Sequence, residues 1–349
     1  MAGEEMSQTN GPPLGIKRGV NWRGVAQVIV GVGALAFVIA SADARGIAEA
    51  IRNTRVAYLP IAVAASFVVI WLMAYRWKVI LHTRGQSPGT GLLFGCYLIA
   101  SFFTNFVPGG SASGDLARFI YVDRMIRDKA FVLSSLVYER LVGMFTLLLV
   151  GLVATLISHG HVQTTPIYIA EAVFALAFIA ISMLMSESIS RRVAGVVESV
   201  ANRLRVGRIG AGAARTILAT SELRRRKGLL ARTIAISIAV RLVWSAGCYV
   251  VSRAIGLPLS ITLVFAFISL ADLIRLMPVS VGGLGVREWV LVGLLAGVGI
   301  GREQALAFSL LVFAPLYLNA IAGGIFYISQ SRLRKQELVA EPGLGSSSG

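Results

Sequence analysis

Two cysteines and three histidines among 349 residues leave little material for metal or thiol chemistry. Cys96 and Cys248 stand apart within apolar runs and no CxxC pair occurs, which excludes a disulfide framework and a Cys/His zinc site. Isolated thiols in such surroundings pack as small hydrophobes. His82 sits near a helix end, and His159 and His161 share a short polar loop, where imidazoles are solvated. No Ser/His/Asp grouping, P-loop or GxGxxG phosphate loop is present, so the sites of common soluble enzymes are missing and no cofactor is implied. Charge is scarce as well. Charged residues make up 14% of the chain, and only 17 of them are acidic.

What fills the chain is apolar. Hydrophobic residues account for 56%, and the mean hydropathy is +0.76, the composition of a polytopic membrane protein. A span takes roughly 20 apolar residues, and runs of that kind lie near 24–42, 57–75, 90–107, 131–158, 166–185, 232–252, 258–278, 283–299 and 303–328. The first follows a polar leader and has no small-residue cleavage site, so it reads as a span and not as a signal peptide. One transmembrane domain, 22–330, is expected between two disordered cytoplasmic tails, 1–21 and 331–349, both rich in Gly, Ser, Pro and Glu.

The formal charge of +16 comes from clusters at Lys17/Arg18/Arg23, Arg76/Lys78/Arg84, Arg191–Lys227 and Arg332/Arg334/Lys335. Basic loops that flank spans stay in the cytoplasm. The clusters therefore read as a topology signal, with both termini cytoplasmic. They carry no stacking pattern for nucleic acid. The basic loop 186–232 also suits a surface of anionic lipid.

Two strings interrupt the apolar pattern. The first is NFVPGGSASGDLAR, Asn105–Arg118, and the second is LADLIRLMPVSVGGLGVRE, Leu270–Glu288. Each carries an apolar helix into a proline, paired glycines, a third glycine and then charge. Downstream, KAFVLSSLVY (Lys129–Tyr138) aligns with QALAFSLLVF (Gln304–Phe313) at nearly the same offset, so the halves near 90–158 and 258–328 read as a duplication. Counting crossings from a cytoplasmic N-terminus keeps every large basic cluster inside only if both interrupted segments are re-entrant. They then enter from opposite faces. The expected fold class is all-α and polytopic, an inverted repeat with two broken helix hairpins, as in secondary transporters.

Ionisable residues fall within this apolar context: Asp115, Arg118, Glu139, Arg140, Arg241, Asp272, Arg275, Arg287 and Glu288. A charge at the centre of a membrane helix costs roughly 2.5–3.5 kcal/mol on insertion scales, so such groups pair or face a polar path. Asp115 and Arg118, like Asp272 and Arg275, are three apart and share a helix face. Glu139–Arg140 and Arg287–Glu288 are adjacent, so the members of each pair are expected to point to different neighbours. Ser111 or Ser113 can cap a helix that starts near Gly114, and Gly282–Gly283–Leu284–Gly285 can open its counterpart, giving N–H groups suited to an anion. The set Gly109, Gly110, Ser111, Gly114, Asp115, Arg118, Glu139, Arg140, Asp272, Arg275, Gly282, Gly283, Gly285, Arg287 and Glu288 is the candidate substrate site. A structural ion-pair network is the plain alternative.

These motifs, with the YERL string at Tyr138–Leu141, resemble the lysylphosphatidylglycerol synthase transmembrane-region family, also called flippase-like or UPF0104 proteins. The family includes the flippase portion of bacterial multiple peptide resistance factors, an archaeal relative in glycan assembly and hopanoid-associated members. The resemblance implies an inner-membrane protein handling a lipid with a polar headgroup. It places family motif residues at Pro108, Gly109, Gly110, Gly114, Asp115, Arg118, Glu139, Arg140, Pro278, Gly282, Gly283, Gly285, Arg287 and Glu288. Family synthases carry a soluble aminoacyl-transferase domain after the spans. This chain ends soon after Tyr327, so no covalent step is expected of it. Three functions stay open: a lipid flippase or transporter, an accessory subunit or enzyme of lipid or glycan synthesis that works with a separate lipid-modifying transferase, and a structural membrane protein.

Overall fold

The computed structural model of the chain describes residue 33 and residues 44–86, 88–159, 165–184, 186–203, 216–217, 220–276 and 283–340. The tail 1–21, nearly all of the expected span 24–42, His161, Pro278 and Gly282 lie outside the described residues. Helix is the regular structure of the chain, with no strand among the described residues.

The helices run α1 (Ala44–Arg52), α2 (Leu59–Leu81), α3 (Thr90–Phe106), α4 (Ser111–Ile126), α5 (Lys129–His159), α6 (Thr165–Leu184), α7 (Glu187–Arg203), α8 (Lys227–Ile255), α9 (Ile261–Arg275), α10 (Val286–Ala296) and α11 (Arg302–Ala340). Four continuous helical stretches, Val56–Arg84, Lys129–Ser158, Lys227–Ile255 and Arg302–Ser329, are 28 to 30 residues long and apolar enough to cross a bilayer. Large side chains such as Leu176 and Ile325 stay exposed along the helices, as lipid-facing positions must be in a chain whose solvent is hydrocarbon. The protein is an all-α polytopic membrane protein.

Two segments differ from the expected layout. The basic loop 186–232 holds α7, which exposes Arg191 and Arg192 and buries Ala194. Alternation at helical spacing outweighs a high charge count there. At the C-terminal end α11 runs on to Ala340, so 331–340 is helical where an unstructured tail was expected.

The first interruption lies where the sequence puts it. Val107 is extended, at φ −111° and ψ 135°, as the residue before a proline must be to clear the ring. Gly109 at φ 111° and Gly110 at φ 56° then reverse the chain through conformations that a Cβ disfavours. α4 starts at once on Ser111. The second interruption ends similarly, with Gly283 and Gly285 both at φ 80° ahead of α10. At about 1.5 Å per residue, the 11 residues of α10 reach only about half the thickness of a hydrocarbon core.

Packing divides into two apolar clusters. One joins α2, α3, α4 and the start of α5 around Trp77, Tyr97 and Tyr138. The other joins the rest of α5 with α6, α8, α9, α10 and α11 around Phe174, Phe267 and Phe308. α3 and α11 cross so closely that a Cβ on Gly323 would overlap the Leu98 carbonyl, and one on Gly324 would meet the Phe102 ring at 2.8 Å. Small residues permit this approach between membrane helices. Gly323→Val is expected to lower stability by about 1–3 kcal/mol, the cost of overpacking. Gly293→Ala, where an added Cβ meets nothing within 4 Å, should be near neutral. Thermal unfolding of the detergent-solubilised protein reads both.

Candidate functional site

The charges gather where α4 crosses α5. Arg118, one turn after Asp115, bonds the Asp115 carboxylate and, at 2.8 Å, Oε2 of Glu139 on α5. The other Glu139 oxygen accepts from Arg76 of α2 at 2.7 Å and from the Tyr97 hydroxyl of α3. Arg140, the next residue on α5, turns the other way and reaches Asp115 Oδ2 at 3.0 Å and the Ser111 hydroxyl. The result is a chain of alternating sign, Arg76, Glu139, Arg118, Asp115, Arg140, laid across α2, α4 and α5. Its inner end is buried, with Glu139 at 2% exposure, and its outer end at Arg140 is open. Arg118 also lies over the Tyr97 ring at 4.4 Å and the Trp77 ring at 5.2 Å, where the negative ring faces favour a cation.

A second group comes from the other half of the sequence. Asp272 of α9 pairs with Arg241 of α8 at 2.9 Å. Spacing along α9 fixes the face that Asp272 and Arg275 share but not the partner, and α8 presents the guanidinium that Asp272 takes. Arg275 is left without an ion-pair partner among the described residues. Its stem runs beside Gly283, where a Cβ would come within 3.1 Å of Arg275 Cγ.

Arg287 and Glu288 depart from expectation. They bond each other at 2.8 Å in addition to separate neighbours. Glu288 reaches back to accept the Gly285 N–H at 2.6 Å, as a carboxylate three residues past a helix start does. That swings its other oxygen beside Arg287 Nε. Arg287 is fully buried, donates to the Tyr317 hydroxyl at 2.7 Å and stacks on Phe313 at 4.0 Å. This pair secures α10 to α11.

Between the two groups lies a cavity of about 250 Å³. α4 contributes Ser111, Gly114, Asp115 and Arg118, α8 contributes Arg241 and Trp244, α9 contributes Asp272 and Arg275, and Asn105 and Asn319 add amides from α3 and α11. Six residues of the sequence-derived set therefore line one space. Glu139 and Arg140 stand one contact behind it, Gly109 and Gly110 form the turn ahead of α4, and Gly283 and Gly285 stand ahead of α10. Arg287 and Glu288 do not line it, and Gly282 lies outside the described residues.

The serines do not cap as expected. α4 begins at Ser111 with no side-chain cap, and Ser113 lies inside the helix and donates to the Phe103 and Gly110 carbonyls. Gly114 serves packing: a Cβ there would come within 2.7 Å of the Ala100 carbonyl on α3. Sequence reasoning assigned Arg76 to an exposed cytoplasmic cluster, yet it is 5% exposed and paired. Its signal was an arginine inside an apolar run, the same signal that singled out Arg241. Tyr97, Asn105, Trp244 and Asn319 gave none.

Removing one partner of a buried pair strands a charge and costs about 3–5 kcal/mol. Arg287→Met is expected to fall in that range, and Glu139→Gln to destabilise strongly because it leaves Arg76 and Arg118 short of counter-charge. Arg275→Met should cost under about 1 kcal/mol, since no ion pair is broken. Unfolding in mixed detergent micelles ranks the three.

Comparison with known proteins agrees with this architecture. Two UPF0104 membrane proteins of Methanothermobacter thermautotrophicus are similar to it. One is 22% identical over 301 residues, covering 82% of this chain and 88% of the relative, and the other is 25% identical over 315 residues, covering 81% and 87%. No solved structure matches the chain. Residues 24–323 match the family described as Lysylphosphatidylglycerol synthase TM region, and the chain belongs to that family of membrane proteins.

Proposed function

We propose that the protein carries the polar headgroup of a lipid across the plasma membrane, as a flippase-like transporter without a covalent step of its own. The observation that supports this most is the 250 Å³ cavity in which Asp115 and Arg118 of the first glycine-rich motif face Arg241, Asp272 and Arg275 of the second half. Charges around a polar space inside a membrane protein mark substrate pathways more often than packing alone. A structural network accounts for the paired Arg76, Glu139 and Arg287. It gives no reason for an arginine such as Arg275 to line a cavity without an ion pair among the described residues.

In this reading α3–α4 and α9–α10 are the two re-entrant hairpins of an inverted repeat, with the site where they meet near the midplane. Both termini and 186–232 are cytoplasmic, and α7 lies on anionic lipid through Arg191 and Arg192 with Val193 and Val196 exposed beside them. Cysteine-accessibility labelling tests the arrangement. Val122–Lys129 and Gly299–Glu303 should label from opposite sides, and labelling from one side would sink the inverted repeat.

The name of the family, a region of a synthase, favours a second reading in which the lipid is presented to a separate transferase. Reconstitution separates the two. In vesicles containing the protein alone, headgroup-labelled lipid should exchange between leaflets, and Met73→Trp, which fills the cavity from α2, should slow it about tenfold, equivalent to about 1.4 kcal/mol of barrier. Lipid bound without exchange would favour presentation. Exchange unaffected by Met73→Trp would move the path elsewhere.

A further inference from the structure

The charges around the cavity do not cancel. The lining residues and the whole ion-pair network joined to them bring five arginines (Arg76, Arg118, Arg140, Arg241 and Arg275) against three carboxylates (Asp115, Glu139 and Asp272), and Arg287 with Glu288 adds only a balanced pair nearby. The imbalance is on the α9 side. Asp272 is taken up by Arg241, and Arg275 faces the same space without an ion pair among the described residues. Two further polar atoms have no hydrogen-bond partner among the described residues: the indole N–H of Trp244, a residue 6% exposed, and Oδ1 of Asn105, a residue 8% exposed. Both residues line the cavity. A buried donor without a partner costs about 1–3 kcal/mol, so a cavity that keeps one, together with a guanidinium that has no ion pair among the described residues, is built for an acceptor.

We propose that the cavity selects a headgroup whose phosphate carries about two negative charges, a phosphomonoester or diphosphate, with Arg275 as the specificity-determining residue and the Trp244 N–H as a further donor in the same cavity. The inference rests on the reading that the cavity receives a lipid headgroup. An excess of two positive charges matches a phosphomonoester, which carries about −1.5 to −2 at neutral pH. It matches a singly charged phosphodiester less well. A zwitterionic headgroup leaves the excess uncompensated, and a lysylated headgroup, with more ammonium groups than phosphates, meets like charge, which is costly in a desolvated site. The guanidinium fork suits two phosphate oxygens at once, and the indole N–H supplies a third donor. Asn105 Oδ1 is an acceptor and fits the hydroxyl of a singly protonated phosphate or of an adjoining group.

The test is lipid binding to the purified full chain by native mass spectrometry, with phosphatidic acid, phosphatidylglycerol, phosphatidylcholine and lysylphosphatidylglycerol as probes. Inorganic phosphate and diphosphate serve as free-anion competitors. Phosphatidic acid should bind about tenfold more tightly than phosphatidylglycerol, the effect of one additional charged contact. Lysylphosphatidylglycerol should bind weakest. Arg275→Gln should cut the preference for phosphatidic acid over phosphatidylcholine about tenfold, and Arg275→Lys should keep part of it. Trp244→Phe keeps the ring and removes the N–H, and should lower phosphatidic acid affinity about threefold whether or not the arginine variants fold. Equal binding of all four lipids, or a preference untouched by Arg275→Gln and Trp244→Phe, overturns the charge selection and leaves the lipid site standing. Absence of any lipid that Met73→Trp displaces overturns the lipid site itself. Competition by diphosphate at the affinity of phosphatidic acid assigns the anion site to the free ion and overturns the lipid half of the proposal.

Discussion

Glu139 holds the first half of this protein together. Its two oxygens take Arg76 from α2 and Arg118 from α4, with the Tyr97 hydroxyl of α3 on one of them, so four helices meet at one buried carboxylate. In hydrocarbon each of these groups alone would be costly to bury, and the alternation of sign is what makes the crossing stable. The α3–α4 turn can then be open and glycine-rich, because the charges and not the turn fix where α4 lies.

From that anchor the chain of charges runs outward to Asp115 and Arg140, and the cavity opens beside it. In the second half fewer parts tie the helices. Arg241 and Asp272 tie α8 to α9, and Arg287 and Glu288 tie α10 to α11. Arg275 is left facing the cavity. The charges that secure helices are paired and buried, and Arg275 differs from them in having no ion pair among the described residues.

Glycine serves two purposes that the sequence does not distinguish. Gly109, Gly110, Gly283 and Gly285 adopt backbone conformations that other residues resist. Gly114 and Gly323 sit in ordinary helix and let another helix approach within a Cβ's width. The motif glycine at 114 reads from the sequence as the start of a helix open to an anion, yet it lies inside α4 and the Ala100 carbonyl occupies the space that its missing Cβ leaves.

The sequence by itself determined the helical membrane class, the position of most spans and the break at Pro108–Gly110. Those follow from local causes: the length a bilayer demands, the φ that proline fixes, and the turn that only glycine permits. It also named nine ionisable residues in the apolar context, because charge among apolar residues stands out whatever the fold. Tertiary structure alone decided which of them pair. Asp272 took Arg241 over Arg275, Glu139 recruited an arginine that had read as a topology signal, and Arg287 closed on its own neighbour. Partner choice depends on how helices distant in sequence cross, and a helical period specifies the face a residue occupies but not what stands opposite.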